Sequence, residues 1–176
     1  MAKIESSSSF LSIDDATSFL LGQVDNLKVS HLSYWYLQYT DSIPDQVFWV
    51  ATYDPAYMSY YMKNFTPIND PVMANVMEDK FIDWYEWYDN DVVAQAVASI
   101  APRYGITKFG ISIPIEAPNQ DKVIFSACMK SSAENWSKDR TELARRILPF
   151  AQKFHDRMAR LVHVEQDAEH VFHVFA

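Results

Sequence analysis

Phenol and carboxylate side chains are concentrated in one stretch, which begins at Tyr53 and reads YDPAYMSYYMKNFTPINDP. Asp54 precedes a proline, and its carboxylate can accept hydrogen bonds from the free N–H groups at the start of a helix. A helix over about residues 55–63 would put Tyr57 and Tyr61 on one face, because they are four residues apart. Together with Tyr53 just upstream, three hydroxyl groups can converge, and we interpret this stretch as the functional site.

Asp70 repeats the pattern, since it precedes Pro71 and a second apolar segment, PVMANVMED. In one interpretation the Asp70 carboxylate only caps a second helix over residues 71–79. In the other it turns inward and contacts a ligand. The sequence next to Asp70 does not decide between the cap and the ligand contact, so the rest of the chain has to be considered as well.

The ordered set of these residues resembles the autoinducer-binding domain of LuxR-type quorum-sensing regulators. The shared pattern is Y-x-x-x-[W/Y]-x-x-x-Y, then D-P, a tryptophan near the end of the next segment, and a G-[I/L]-[ST]-x-P-[IL] strand. Its members here are Tyr53, Tyr57, Tyr61, Asp70, Pro71, Trp84 and the strand GISIPI that begins at Gly110, and the later strand FSACM supplies Ser126. The resemblance covers about residues 11–164.

The family ligand is an N-acyl homoserine lactone, which has one amide N–H, at least two carbonyl acceptors and an apolar chain. The resemblance implies that Asp70 accepts from the ligand amide, while Tyr53 and Ser126 donate to the acyl carbonyl. Tyr61 and Trp84 would flank the lactone ring. The predicted site also includes Tyr57, Pro71, Val72 and Gly110. No cofactor besides this ligand is expected.

Tyr57 departs from the family pattern, in which most members have a tryptophan that donates to the lactone carbonyl. A phenol can also donate, but its reach is different and it can accept as well. Two ligand classes therefore stay open: an acyl homoserine lactone or related amide, and a plant-derived or other non-lactone signal.

The resemblance implies the small-molecule sensor domain of a cytoplasmic transcriptional regulator. We expect no helix-turn-helix domain after Val164, so an alternative is a naturally short anti-activator that forms a heterodimer with a full-length LuxR-type regulator. In either case a dimer would form through the last helix. The formal net charge of -8 argues against direct DNA binding by this chain, since phosphate contacts need clustered Lys and Arg.

Other functional classes find little support in the composition. Three glycines are too few for a glycine-rich phosphate loop, and neither G-x-S-x-G nor H-E-x-x-H occurs. The single cysteine, Cys128, lies in an apolar strand and is expected to be buried. Histidines and glutamates near the C terminus fit no zinc signature: His163, His170, His173, Glu165 and Glu169. We therefore expect this chain to have no enzymatic activity, no metal site and no membrane-spanning segment.

Hydrophobic periodicity and turn residues predict the elements that position the site. We expect an α/β fold, an α-β-α sandwich whose central antiparallel sheet has about five strands, with helices on both faces. The predicted helices are 12–28, 55–63, 71–79, 91–105 and a long one from 137 or 139; the predicted strands are 31–40, 46–53, 108–115 and 122–129. Residues 81–90 are predicted as a loop or edge strand. Residues 1–10 would be a mobile segment, 11–164 the domain, and 165–176 a tail.

The last predicted helix carries an apolar stripe with steps of three and four residues. Its members are Leu143, Ile147, Phe150, Phe154, Met158 and Leu161. The stripe can pack on the sheet or form a dimer contact. Both interpretations stay open, since one edge of the stripe could pack on the sheet and the other could contact a partner. Pro149 is expected to bend this helix.

Overall fold

The computed structural model describes residues 9–40, 43–65, 69–76, 78, 81–118, 120–165 and 172–173. Its strands are β1 (His31–Thr40), β2 (Ile43–Ala51), β3 (Ile82–Asp83), β4 (Gly110–Ile115), β5 (Lys122–Cys128) and β6 (Phe172–His173). Within these residues they form one antiparallel sheet with the order β3-β4-β5-β1-β2-β6.

Helices cover both faces of this sheet, which confirms the predicted α-β-α sandwich. They are α1 (Ile13–Leu21), α2 (Val24–Leu27), α3 (Pro55–Asn64), α4 (Pro71–Val76), α5 (Trp84–Tyr88), α6 (Val92–Ile100), a 3₁₀ helix (Ala101–Tyr104) and α7 (Trp136–Glu165). Alternate side chains of each strand enter opposite cores. Tyr34 and Tyr36 pack towards α1 and α7, whereas Trp35 and Leu37 pack towards α3 to α6.

The apolar stripe of α7 packs on the sheet. Leu143, Ile147, Phe154 and Met158 are at most 1% exposed. These side chains are therefore not available for a dimer contact, and a dimer through α7 would need its other faces. The helix continues through Pro149 from Trp136 to Glu165.

The predicted helix over residues 12–28 is divided into α1 and α2. Ser12 starts α1 as predicted, since its side chain accepts from the backbone N–H of Asp15 at 3.1 Å. Gly22 ends α1: its N–H donates to the carbonyl of Ser18 at 3.1 Å, and the next N–H, of Gln23, donates to the carbonyl of Leu20 at 2.9 Å. A glycine followed by a polar residue interrupts the helix here, although the apolar pattern continues on both sides.

The prediction for residues 81–90 is only partly right. Ile82 and Asp83 form the edge strand β3, but Trp84–Tyr88 form helix α5. The Asp83 carboxylate accepts from the backbone N–H of Tyr85 at 3.0 Å, so it caps α5. The aromatic sequence WYEWY favours a strand by propensity, and this cap outweighs it.

The predicted terminal segments lie largely outside the described residues. Phe10, which is described, is 3% exposed and packs against Phe19 and Phe154. At the other end, β6 pairs with Gln46 and Val47. Residues 41–42 and the side chains of the C-terminal histidines also lie outside the described residues.

Asp83 joins the two helical layers. Its carboxylate is 5% exposed and accepts from the indole Nε1 of Trp136 at 2.9 and 3.1 Å. Nη1 of Arg140 lies 2.6 Å from Oδ2 of Asp83 and 3.3 Å from Oε1 of Glu86. Thus α7 holds the start of α5, the helix that begins with Trp84.

We predict that Asp83→Ala lowers the free energy of unfolding by about 3 kcal/mol, because a partly buried ion pair, the hydrogen bond from the Trp136 indole and a helix cap are lost together. Urea denaturation followed by circular dichroism measures this change. Glu86→Ala is the matched control, since Glu86 contacts the same Arg140 but its side chain is 69% exposed. It should change stability by less than about 1 kcal/mol, and equal effects of the two substitutions would contradict the assignment.

Candidate functional site

A cavity of about 40 Å³ lies between the sheet and helices α3 to α6. Seven of the nine predicted site residues line it: Tyr53, Tyr57, Tyr61, Asp70, Val72, Trp84 and Ser126. The other two, Pro71 and Gly110, are not part of its lining. The volume is sufficient for roughly three water molecules.

Asp70 is buried at the cavity, with 6% of its surface exposed. One carboxylate oxygen accepts from the backbone N–H of Val72 at 2.9 Å, and the other accepts from the hydroxyl of Tyr61 at 2.9 Å. The residue therefore caps α4, as the first interpretation predicts, and its carboxylate also lies at the cavity, while contact with a ligand stays a prediction. The exposed Asp54, by contrast, accepts from Ala56 N–H at 2.7 Å in a capping role.

The carboxylate still has capacity for another donor. Each of its oxygens can accept about two hydrogen bonds. Burial raises the pKa of Asp70, while hydrogen bonds from Tyr61, Val72 and Met73 oppose this effect. A ligand N–H that reached the group would stabilise its charged form.

The phenols around Asp70 form a contiguous aromatic wall. The Tyr57 ring lies 5.5 Å from Tyr53, 6.2 Å from Tyr61 and 5.5 Å from Tyr104 between centroids. Burial raises the pKa of Tyr53, Tyr57 and Tyr61 above the usual value. These hydroxyl groups are therefore protonated at neutral pH and can donate.

A row of three serines crosses the sheet below the cavity. Ser33 in β1 pairs with Ser126 in β5, which pairs with Ser112 in β4. The Trp84 indole donates to Ser112 Oγ at 2.8 Å, and Ser112 Oγ lies 2.8 Å from Ser126 Oγ. Because the indole only donates, Ser112 can accept from it and donate onward to Ser126. That arrangement leaves the Ser126 proton for an acceptor in the cavity.

Tyr53 contacts the row of serines at Ser33, the end opposite to Ser112. Its hydroxyl donates to Ser33 Oγ at 3.4 Å, a long and weak hydrogen bond. The side chain can therefore exchange this bond for one with a ligand at little cost. Tyr53 and Ser126, which the sequence assigns to one carbonyl group, thus border the same part of the cavity.

Gly110 lies directly against the side chain of Trp84. A Cβ atom at this position would lie 2.3 Å from Cε3 of the Trp84 indole. The glycine therefore allows the indole to lie directly against β4. Pro71 occupies the first turn of α4, where its missing N–H leaves no unsatisfied acceptor.

Sequence reasoning missed several residues that line the cavity: Ser33, Trp35, Met58, Met73, Tyr88 and Ser112. Alternation along the strands could have indicated two of them, since Ser33 and Ser112 lie on the same face as Ser126. Tyr88 is 9% exposed, and burial raises its pKa well above the usual value. It follows Trp84 by one turn of α5, so helical spacing was the available signal.

Neither metal nor thiol chemistry is evident in the described part of the chain. It contains no group of three or more His, Cys, Asp or Glu side chains that could hold a metal ion. Cys128 is buried, as predicted, and burial raises the pKa of its thiol to about 11. The same part of the chain has no helix long and apolar enough to cross a membrane.

The profile of the autoinducer binding domain family matches residues 12–158. The chain belongs to this family. No curated protein sequence shows significant similarity to it.

Solved structures of other proteins have the same fold. The N-acylhomoserine lactone dependent LuxR family transcription factor CepR2 from Burkholderia cenocepacia has a TM-score of 0.62 and 14% identity, over 85% of this chain and 88% of CepR2. Escherichia coli SdiA has a TM-score of 0.54 and 20% identity, over 82% of this chain and 63% of SdiA. SdiA in complex with octanoyl-rac-glycerol gives the same TM-score and identity, over 85% and 60%. This chain thus spans less than two thirds of the SdiA chains.

The raised pKa of Asp70 predicts a specific pH dependence. The folded domain keeps the Asp70 proton at pH values where the unfolded chain has lost it, so its contribution to stability is present in acid. This contribution is lost as pH rises from about 4 through the raised pKa. Relative to Asp70→Asn, the free energy of unfolding of the wild type should therefore fall across this window. Urea titrations of both proteins at a series of pH values measure the difference, and a constant difference would contradict the prediction.

Gly110→Ala should lower the free energy of unfolding by about 1 to 3 kcal/mol, because the indole of Trp84 must leave its position. Thermal unfolding and tryptophan fluorescence measure the two effects. Gly22→Ala is the control, since a Cβ there would meet its nearest atom at 3.5 Å. We expect this control to be neutral or to add up to about 1 kcal/mol. A neutral Gly110→Ala would show that Trp84 does not depend on the glycine.

Proposed function

We propose that this autoinducer-binding domain is a sensor that binds an N-acyl homoserine lactone or a related amide signal in the cavity beside Asp70. The main support is a carboxylate that is 6% exposed, held by neutral donors and directed at a cavity lined by hydroxyl groups. A buried charge of this kind favours a ligand that brings an N–H group.

The polar groups of the cavity match the polar groups of such a ligand. Asp70 accepts from the amide N–H, while Tyr53 and Ser126 donate to the acyl carbonyl. Tyr61 donates to Asp70 at 2.9 Å and so holds the carboxylate in its orientation. The hydrogen bond to the charged group contributes about 1.5 to 3 kcal/mol, against about 0.5 to 1.5 kcal/mol for a neutral one. The Asp70 contact therefore dominates the discrimination.

The head group of the signal would meet Tyr57 and Tyr88. Neither hydroxyl has a hydrogen-bond partner among the described residues, so both can donate to a lactone carbonyl or another acceptor. A phenol at position 57 also accepts, which a tryptophan cannot do. This difference supports a second candidate, a non-lactone signal whose head group carries a donor.

Ligand binding requires the α3 to α6 layer to move. Pockets for small molecules typically have volumes of about 300 to 1,000 Å³, far more than the 40 Å³ of this cavity. The helices of this layer have 10, 6, 5 and 9 residues, so each can shift without disturbing a long element. The ligand then becomes part of the core, and its binding free energy adds to the stability of the domain.

The related structures support this class of ligand. CepR2 is described as dependent on N-acylhomoserine lactone, and SdiA was solved in complex with octanoyl-rac-glycerol. Both molecules combine an acyl chain with a compact polar head. The same combination suits a cavity that has one carboxylate, several hydroxyl groups and apolar walls.

The output of the sensor would pass to a DNA-binding partner. The net charge of -8 does not favour phosphate contacts by these residues. We propose that the domain acts in the cytoplasm within a quorum-sensing regulator, either joined to a DNA-binding domain or as an anti-activator paired with a full-length regulator. Co-purification with such a regulator, with and without signal, distinguishes the two forms.

Asp70→Asn should weaken binding of N-octanoyl homoserine lactone by about 10- to 150-fold, the equivalent of roughly 1.5 to 3 kcal/mol. The amide keeps the size of the side chain but removes the charge that accepts the ligand N–H. Isothermal titration calorimetry and the ligand-induced shift in melting temperature measure the loss. An undiminished shift would mean that Asp70 is only a helix cap.

Asp54→Asn is the matched control for this experiment. Asp54 also precedes a proline and caps a helix, but it is exposed and does not line the cavity. Asparagine is an equally good cap. The affinity for the lactone should therefore stay within about twofold of the wild type, and an equal loss in both variants would point to a general effect on folding.

A further inference from the structure

A basic pocket lies at the end of the sheet where β1 begins and β5 ends. It has a volume of about 490 Å³ and shares no lining residue with the cavity beside Asp70. Its lining includes Lys28, Ser30, His31, Gly105, Met129 and Lys130. No acidic residue of the described part of the chain lines it, although the chain has 23 Asp and Glu against 15 Lys and Arg. The pocket is thus a local exception to the negative charge of the domain.

Backbone contacts hold the segments of this pocket together. Lys28 ends α2 in the left-handed conformation, with φ 53°, so the chain turns there towards β1. The N–H of Ser30 donates to the carbonyl of Cys128 at 2.7 Å, which keeps the start of β1 beside the end of β5. The hydroxyl of Thr107 donates to the carbonyl of Met129 at 2.6 Å. The backbone that carries the two lysines is therefore fixed, although their side chains are exposed.

The donors of the pocket are not used within the described structure. Lys28 and Lys130 have no acidic partner among the described residues, whereas Lys108 pairs with Asp89 at 3.5 Å. The hydroxyl of Ser30 likewise has no hydrogen-bond partner in this part of the chain. Two ammonium groups that line one pocket repel each other and attract an anion.

His31 adds a group that can both donate and accept. Its Nδ1 lies 3.3 Å from the carbonyl oxygen of Thr52. Because a carbonyl oxygen only accepts, Nδ1 carries a proton, and Nε2 is left to accept in the neutral ring or to donate in the charged ring. A Cβ atom at Gly105 would lie 3.4 Å from this Nε2, so the nitrogen lies beside a residue of the pocket lining. Gly105 has a φ of 74°, which favours glycine and leaves this side without a side chain.

We propose that this pocket binds a phosphate group, with Lys28 and Lys130 at its charged oxygens and with Nε2 of His31 and the hydroxyl of Ser30 at the oxygen that carries a proton. At neutral pH inorganic phosphate has both kinds of oxygen, whereas sulfate has no protonated one. Lysine ammonium groups are common phosphate ligands in proteins. The pocket also has room for the organic part of a small phosphomonoester, which is a second source of the same group.

The first test measures binding of inorganic phosphate by phosphorus NMR and isothermal titration calorimetry at low ionic strength. The double substitution Lys28→Gln and Lys130→Gln should weaken binding by about 25-fold, since each ion pair at an exposed site contributes about fivefold. The control is Lys138→Gln with Lys153→Gln, which removes the same charge from exposed positions of α7 outside the pocket. The control should weaken binding by less than about twofold. Equal losses in the two double variants would overturn the site.

The second test compares phosphate with sulfate and with adenosine monophosphate. The unsubstituted protein should bind phosphate about two- to tenfold more tightly than sulfate, because one more hydrogen bond is made. His31→Asn keeps a donor for the carbonyl of Thr52 but removes Nε2, so it should abolish this preference. Equal binding of phosphate and sulfate by the unsubstituted protein would reduce the pocket to a general attraction of anions and overturn the phosphate assignment. Tighter binding of adenosine monophosphate would support the site and identify a phosphomonoester as its ligand.

Amide NMR spectra locate the bound phosphate and separate this inference from the proposed function. On addition of phosphate, the amide signals of His31, Gly105 and Met129 should shift, while those of Tyr61 and Val72 beside the signal cavity should not. The opposite pattern would overturn the assignment. The double lysine variant should bind N-octanoyl homoserine lactone with unchanged affinity, because the two sites share no lining residue. Failure to bind phosphate at millimolar concentration would therefore refute this inference alone, and failure to bind the lactone would refute only the proposed function.

Discussion

Burial of the Asp70 carboxylate costs free energy, and the domain offsets this cost with donors from two different helices. The hydroxyl of Tyr61 comes from α3, and the backbone N–H of Val72 comes from α4, each at 2.9 Å. These bonds hold the two helices against each other at the edge of the cavity. The packing of α3 against α4 therefore depends on one acidic side chain.

Comparison with Asp83 supports the binding role proposed for Asp70. Both carboxylates are buried, with 5% and 6% of their surfaces exposed. Asp83 has a cation as partner, since Arg140 lies at 2.6 Å, and its role is structural. Asp70 is held by neutral donors among the described residues, so its charge is not cancelled. The sequence does not distinguish these two acids, because the partner of Asp83 is 57 residues away.

Local chemistry explains which parts of the structure could be predicted. The Asp-Pro pairs predict the starts of α3 and α4, and the spacing of Tyr53, Tyr57 and Tyr61 predicts their common wall, because both features depend on neighbours within one or two turns. Alternation along each strand predicts the face on which each serine lies, but their alignment in one row requires the register of three strands and could not be predicted. Helix α5 was missed because its aromatic residues suggest a strand. Cavity volume depends on all layers at once and has no local signal.

The close approach of Trp84 to Gly110 also restricts how such a domain can change over evolutionary time. On the sheet side of the cavity, any larger residue at Gly110 would collide with the indole. The opposite side consists of separate short helices, whose side chains at Tyr57 and Val72 can vary more independently. Under the proposed function, new signal preferences should therefore arise by substitution at such helix positions rather than at Gly110.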